Sequence, residues 1–475
     1  MRRYLSDQGT ILGLVTLLLV APFFFFRDLP LYDLPDHIAR MHILFGEGAP
    51  GAAQYYAANW RLVPNLAMEG FVFLFHRVFG VEGAVRLFLA LTAAQMFWGA
   101  LAINGVLHRK ISRLGVVAAL FVYNGPFLLG FANLCFGLGM ALWVFALWLI
   151  WRERGWALPL FAALASLILI AHLYAFAVYA LAVLAYEAAF WLRMRRRDWR
   201  LALPTLVPLL HLLLPLAIYV GLMPHALSSG GFHYAPMLLK FADLRSVLGF
   251  NNPVFDLVSL AALLLASLGV ARRLEIDRDL VLPLAAFALA YVVLPHQLGD
   301  ATFVDYRVPA TAALFLAGAI DWRPGAAPRR RSAEAFILGL FVLRWIVTMA
   351  QWQSWQPDYA QYRAAFAQLP EGAKLLPLSS DPNSVDPTQH PPLAHMAELA
   401  VSLRGALVPT LFAGLGHELL VYRAPYADLA SQVPSAALAP SFDYVLLIQP
   451  EEISNPPAYA EIARGRTFIL GRLKH

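Results

Sequence analysis

Two stretches of this sequence crowd ionisable side chains against the ends of apolar runs. The first, LYDLPDHIARMHIL at residues 31–44, directly follows the first apolar run and holds Asp33, Asp36, His37, Arg40 and His42. Pro35 suits the first turn of a helix. Asp36 then lies in that turn with Arg40 as its i+4 neighbour, so Asp36, His37 and Arg40 project close together. A carboxylate there can take a proton from an attacking hydroxyl. A guanidinium suits phosphate oxygens. The competing structural reading is an Asp–Arg pair on a solvated juxtamembrane helix, worth only about 0.2–0.5 kcal/mol.

The second stretch, HQLGDATFVDYRVPATAALFLAG at residues 296–318, places His296, Asp300, Asp305 and Arg307 just before an apolar run. Its Tyr306-Arg307-x-Pro entry sets a cation at the mouth of a spanning helix. The structural alternative is an arginine that snorkels to the interface. Isolated histidines come next: His172, His211, His225 and His233. A lone histidine is more often hydrogen-bonded structure than a ligand, and no spacing here matches a zinc motif. No metal and no cofactor is expected; a divalent ion at Asp33 and Asp36 is chemically conceivable, but no residue pattern points to one. Arg344 lies inside an apolar helix, where a charge is costly and implies a protein partner.

These residues need a lipid-embedded scaffold. Of 475 residues, 60% are hydrophobic and 14% charged, with mean hydropathy +0.61. A soluble domain of that size could not hide so much apolar surface. The net charge of +6 arises from short basic clusters between apolar runs, which is membrane topology and not a nucleic-acid surface. Arg2 and Arg3 precede an apolar run ending at Phe26; no small-residue cleavage site follows, so this reads as a retained first span. With one cysteine, Cys135, no internal disulfide can form.

Clusters at 109–113, 152–154, 193–200, 272–273 and 323–331 mark the cytoplasmic side, with Arg2 and Arg3. Less basic connections at 27–82, 123–133, 172, 223–252 and 295–308 mark the other side. The alternation predicts about eleven spanning helices, the weakest near 114–124, 157–171 and 308–320. The N-terminus is cytoplasmic and the C-terminus outside. Residues 1–352 form a transmembrane domain whose first outer loop is 27–82. Residues 353–475 form a small soluble α/β domain, with strands expected in LPEGAKLLPLS, FDYVLLIQP and RTFILGRL and a helix at 392–404. The Gly-rich outer loop at 226–241 is a candidate acceptor gate. No internal repeat, P-loop or dinucleotide fingerprint appears.

An acidic motif straight after the first helix, amphipathic outer segments to about residue 81, an Arg-containing outer loop feeding a Pro-starting helix and an α/β tail together resemble the GT-C glycosyltransferase superfamily. That group includes protein O-mannosyltransferases and lipid A aminoarabinose transferases. The resemblance covers nearly the whole chain, on short motifs. It implies a sugar donor carried on polyprenyl phosphate, transferred to a glycan, lipid or protein acceptor at the outer face of a bacterial inner membrane. It implies that Asp33 or Asp36 is the catalytic carboxylate, and that Tyr306–Arg307, with Arg40 and His37, meets the donor phosphate. His172, Asp305 and His296 would line the substrate cavity. The adjacent acidic pair of many members is absent: Asp33 and Asp36 stand three apart, so both stay candidates. A non-catalytic scaffold of the same fold and a lipid or glycan transporter are the alternatives.

Overall fold

The computed structural model describes residues 2–46, 50–195, 203–224, 231–249, 252–299, 301–324, 327–379, 395–414, 416 and 418–474. The chain divides into two compact units. One comprises residues 1–24, 64–68 and 89–349. The other comprises 25–63, 69–88 and 350–475, so most of the segment that follows the first helix groups with the tail.

The chain is an integral membrane protein. Six helices among the described residues are long and apolar enough to cross a bilayer: Gln8–Phe25, Ala67–His108, Ala132–Trp151, Leu173–Met194, Pro253–Arg273 and Arg330–Phe366. Ala157–Ala171 and Leu206–Leu222 are shorter apolar helices. Leucines on Pro253–Val270 point outward, with Leu265 and Leu268 68% and 72% exposed, as lipid-facing side chains do. Its start is capped by Asn252, whose side chain accepts from Val254 N and Phe255 N at 3.0 Å.

One of the three weakest expected spans owes its shortness to geometry, and the other two are short α-helices. Residues Arg113–Phe121 form a 3₁₀ helix, not an α-helix, started by Ser112 Oγ accepting from Leu114 N at 3.2 Å. At a rise of about 2 Å per residue, such a run reaches further than an α-helix of equal length. Ala157–Ala171 and Val308–Ala319 are α-helices of 15 and 12 residues. Two polar side chains within the membrane unit illustrate how it pairs them. Arg344 Nη2 lies 2.7 Å from Asp256 Oδ1, the partner its depth required. His211 bonds Tyr179 Oη at 3.0 Å and Pro208 O at 2.7 Å, a structural histidine.

The second unit is built on a four-stranded sheet whose strands lie in the order Leu375–Ser379, Tyr444–Ile448, Phe468–Leu473, Tyr459–Arg464. The first pair is parallel and the rest antiparallel. Three of these strands fall in the segments expected from sequence. These three are buried on both faces, with Leu376, Val445, Leu446 and Leu470 completely buried. The ring of helical Tyr362 lies 4.1 Å from that of Phe468 on the third strand. The segment that follows the first helix contributes a strand, Tyr56–Ala58, paired antiparallel with Leu420–Tyr422. The Tyr56 hydroxyl is buried, accepting from Val408 N at 2.8 Å and donating to Ala406 O at 3.2 Å.

Candidate active site

Residues expected at one site divide between the two units. Asp33, Asp36, His37 and Arg40 belong to the unit with the sheet; His172, His296, Asp305, Tyr306 and Arg307 belong to the other.

In the first, Asp33 sits at the N-cap of helix Leu34–Phe45, Pro35 occupies its first turn, and Gly46 at φ 73° ends it in the left-handed conformation. The helix packs against Leu399–Arg404. Packing there buries Asp36, His37 and Arg40 to 0%, 8% and 1% exposure. The solvated-helix alternative therefore fails. Arg40 Nη2 lies 2.7 Å from Glu69 Oε1 and 2.8 Å from Glu418 Oε2. Its Nε and Nη1 have no hydrogen-bond partner among the described residues. The edge of the His37 ring meets Phe412, with centroids 6.3 Å apart.

Asp36 Oδ2 accepts from the backbone N–H of Phe412 at 2.9 Å, while Oδ1 is buried without a partner among the described residues. Glu398 and His395 stand beside it: one ligand-type atom from each of Asp36, His395 and Glu398 lies within 4.8 Å of the others. His395 Nε2 is 3.5 Å from Asp33 Oδ1, and its Nδ1 is 3.6 Å from Glu398 Oε1. Burial, reinforced by the Glu398 charge, holds the Asp36 carboxyl well above the usual carboxylate range. Burial alone would lower His395, but Glu398, Asp33 and Asp36 outweigh it and lift the imidazole to about 9.

In the membrane unit, Asp305 is 1% exposed and held by His296 Nδ1 at 2.9 Å and Lys240 Nζ at 3.0 Å. Burial would raise its pKa, but these two partners win and lower it. Lys240 Nζ also donates to Tyr291 O at 2.9 Å and Leu294 O at 2.7 Å, closing the C-terminus of helix Val281–Val293. Arg307 is half-buried. Its Nη2 donates to Thr302 O at 3.0 Å, and its guanidinium carbon lies 4.7 Å from the centre of the Phe131 ring and 5.8 Å from that of Tyr174. Tyr306 is buried with its hydroxyl directed at Ser246 and Gly125; a Cβ on Gly125 would lie 2.4 Å from that oxygen. His172 turns its Nδ1 onto the Tyr174 backbone N–H at 3.0 Å.

Sequence reading missed Glu69, Lys240, His395, Glu398 and Glu418. A signal existed for two of them: His395 and Glu398 are three apart within an otherwise apolar stretch, HMAELAVSL, which puts them on one helical face. Asp300, His225, the basic residues 196–200 and the glycine-rich part of the 226–241 loop lie outside the described residues. From that loop, Phe232–His233 pairs with Gln297–Leu298.

No family model matches the sequence, and no curated protein matches it. Among solved structures, the crystal structure of ArnT from Cupriavidus metallidurans in the apo state matches with a TM-score of 0.54 and 13% identity. The match covers 99% of this chain and 98% of that one. At this identity what is shared is the fold: the chain has the fold of ArnT.

Proposed function

We propose that this protein is a membrane glycosyltransferase that moves a sugar from a polyprenyl-phosphate carrier to an acceptor at the outer face of a bacterial inner membrane. The N-terminus is then cytoplasmic and the tail periplasmic. The observation that carries the reading is the buried carboxylate group, Asp36 with Asp33, on the first outer loop of a chain with the ArnT fold.

In the reaction, an acceptor oxygen attacks the anomeric carbon as the bond from that carbon to the phosphate oxygen breaks. The electron pair leaves with the polyprenyl phosphate, and the acceptor proton passes to a carboxylate. A carboxyl whose pKa is raised by burial suits that proton transfer, and Asp36 is so placed, with Oδ1 free of hydrogen bonds among the described residues. Arg307 is assigned to the charge growing on the leaving phosphate, because Arg40 is already committed to Glu69 and Glu418. Arg307, held over Phe131 and Tyr174, keeps its charge beside apolar surface of the kind a lipid-borne phosphate would meet. His172, His296 and Asp305 are assigned to that same donor region. A transporter reading loses support, because charges buried on the spanning helices are already neutralised, Arg344 by Asp256 and Glu187 by Arg152.

The test is product formation by purified Asp36→Asn and Asp33→Asn variants with a polyprenyl-phosphate sugar, at matched protein level and thermal stability. We expect at least one to lose activity by about two orders of magnitude or more, the scale of general base catalysis. Unchanged product from both, or no product from the unmodified chain with any such donor, sinks the reading.

A further inference from the structure

A second group of charges lines a cleft on the side of helix Leu34–Phe45 turned away from Asp36. Leu34 and Ile38 form part of its wall; each stands two residues from Asp36, which is roughly 160° around a helix. The cleft holds about 400 Å³ of empty space, part of it open to solvent, and all its walls belong to the sheet-bearing unit. Three arginines reach it, Arg27, Arg86 and Arg363, with two carboxylates, Asp28 and Glu82. Arg363 Nε donates to Asp28 Oδ1 at 3.0 Å, and Arg86 Nη1 donates to Phe26 O at 2.6 Å. The exposed Arg27 guanidinium makes no hydrogen bond or ion pair among the described residues. Tyr359 is also part of the wall; it is 3% exposed, and its hydroxyl has no hydrogen-bond partner among the described residues. A buried hydroxyl left so is costly unless a ligand supplies the acceptor.

The cleft lies at the level where hydrocarbon gives way to headgroups. The apolar helix Gln8–Phe25, 18 residues long, ends just before Arg27, and that length covers ~27 Å, close to the thickness of a bilayer core. Phe25 is 83% exposed, and Val78 and Phe79, just before Glu82, are 73% and 52% exposed. Apolar side chains left open beside arginines form a rim that faces lipid. We propose that this cleft binds the phosphate of an anionic glycerophospholipid such as phosphatidylglycerol. Arg27 offers its fork to the phosphodiester oxygens. Arg86 and Arg363 add charge at short range, and Leu34, Ile38 and Val85 meet the apolar end of the glycerol. The lining side chains carry three guanidiniums and two carboxylates, a balance of one positive charge, which one phosphodiester neutralises. A zwitterionic lipid brings a cation of its own, which the arginines repel. The donor phosphate of the transfer reaction is assigned to Arg307 in the other unit, so the two sites share no residue.

This inference stands on the cleft and not on the transfer reaction, so the two can fail separately. The full-length chain is delipidated in detergent and titrated with phosphatidylglycerol, phosphatidylcholine or inorganic phosphate, without any sugar donor. Binding is read by native mass spectrometry and stability as Tm. Phosphatidylglycerol should bind at least ~5-fold more tightly than phosphatidylcholine, the attraction of one cation for a charged headgroup. It should also raise Tm, since a ligand of the folded state stabilises it. Arg27→Gln should weaken phosphatidylglycerol binding about 10-fold, the share of one charge-assisted pair. Arg77→Gln removes an exposed arginine that does not line the cleft, and should change affinity by less than ~2-fold, as a screened surface charge does. Equal affinity for the two lipids, or equal losses in Arg27→Gln and Arg77→Gln, overturns the proposal in favour of diffuse surface attraction. Inorganic phosphate that displaces the lipid and raises Tm as much overturns it in favour of a free-anion site. Should Arg27→Gln fail to fold, the comparison of the two lipids on the unmodified chain decides alone. Lipid bound without transfer activity would sink the transferase reading and leave this site standing.

Discussion

Arg40→Met separates two roles for the arginine of the first outer loop. The substitution keeps the length and apolar stem of the side chain but leaves Glu69 and Glu418, 2% and 3% exposed, without the guanidinium that both contact. Removing one partner of a buried ion pair typically costs about 3–5 kcal/mol, because the charge left behind has neither water nor a counter-ion. Here one cation serves two carboxylates, so the upper part of that range is expected. For a unit of this size the loss corresponds to a Tm fall on the order of 10 °C. The assay is thermal unfolding in nanodiscs followed by tryptophan fluorescence. The triple variant Arg40→Met/Glu69→Gln/Glu418→Gln carries no stranded charge and should recover more than about half of the loss. A role confined to the donor phosphate predicts the opposite pattern: stability unchanged and KM for the donor raised. An Arg40→Met protein whose Tm stays within about 2 °C of the unmodified chain would refute the structural reasoning.

Other perturbations test other parts of the structure. Arg344→Met should destabilise the membrane unit by roughly 3–5 kcal/mol by stranding Asp256, and Arg344→Met/Asp256→Asn should restore most of it, read as the temperature at which the detergent-solubilised protein aggregates. Tyr56→Phe removes a hydroxyl that both accepts from Val408 N and donates to Ala406 O, so the sheet-bearing unit should lose about 1–3 kcal/mol in denaturant titration. Asp305, whose pKa is lowered by His296 and Lys240, contributes stability that is present above the ordinary carboxylate pKa and lost as pH falls through its lower folded value. Protease cleavage near residues 295–308 should therefore rise on acidification, and Asp305→Asn should cleave readily even at neutral pH, where its partners can no longer hold a carboxylate.

What was legible in the sequence follows from distance along the chain. Asp36 and Arg40 share a helical face because they are four apart, and the density of charge between Asp33 and His42 marked the loop. The partners they actually meet, Glu69, His395, Glu398 and Glu418, come from segments up to several hundred residues away, and no local periodicity encodes that meeting. Arg40 illustrates the result: its i+4 neighbour suggested a surface pair, whereas burial turned its guanidinium to two distant carboxylates. The tail strands were readable because short β-branched and leucine-rich runs bounded by proline or glycine have few other uses. The spans were harder. Stretches such as Arg113–Phe121 coil as 3₁₀ helices, so hydropathy counted over a fixed α-helical length misjudges them.

The sheet in the second unit also bears on how copies of the protein behave together. Leu375 sends its N–H away from the neighbouring strand, onto Leu407 O at 2.9 Å. Two residues on, Pro377 faces the same way and has no N–H to offer. The opposite border, Tyr459–Arg464, carries the exposed ion pair Glu461–Arg464. Molecules confined to a plane meet with matching segments at the same height, the geometry in which one strand border zips onto another and seeds fibres. A proline at one border and fixed charge at the other deny that zipper a template.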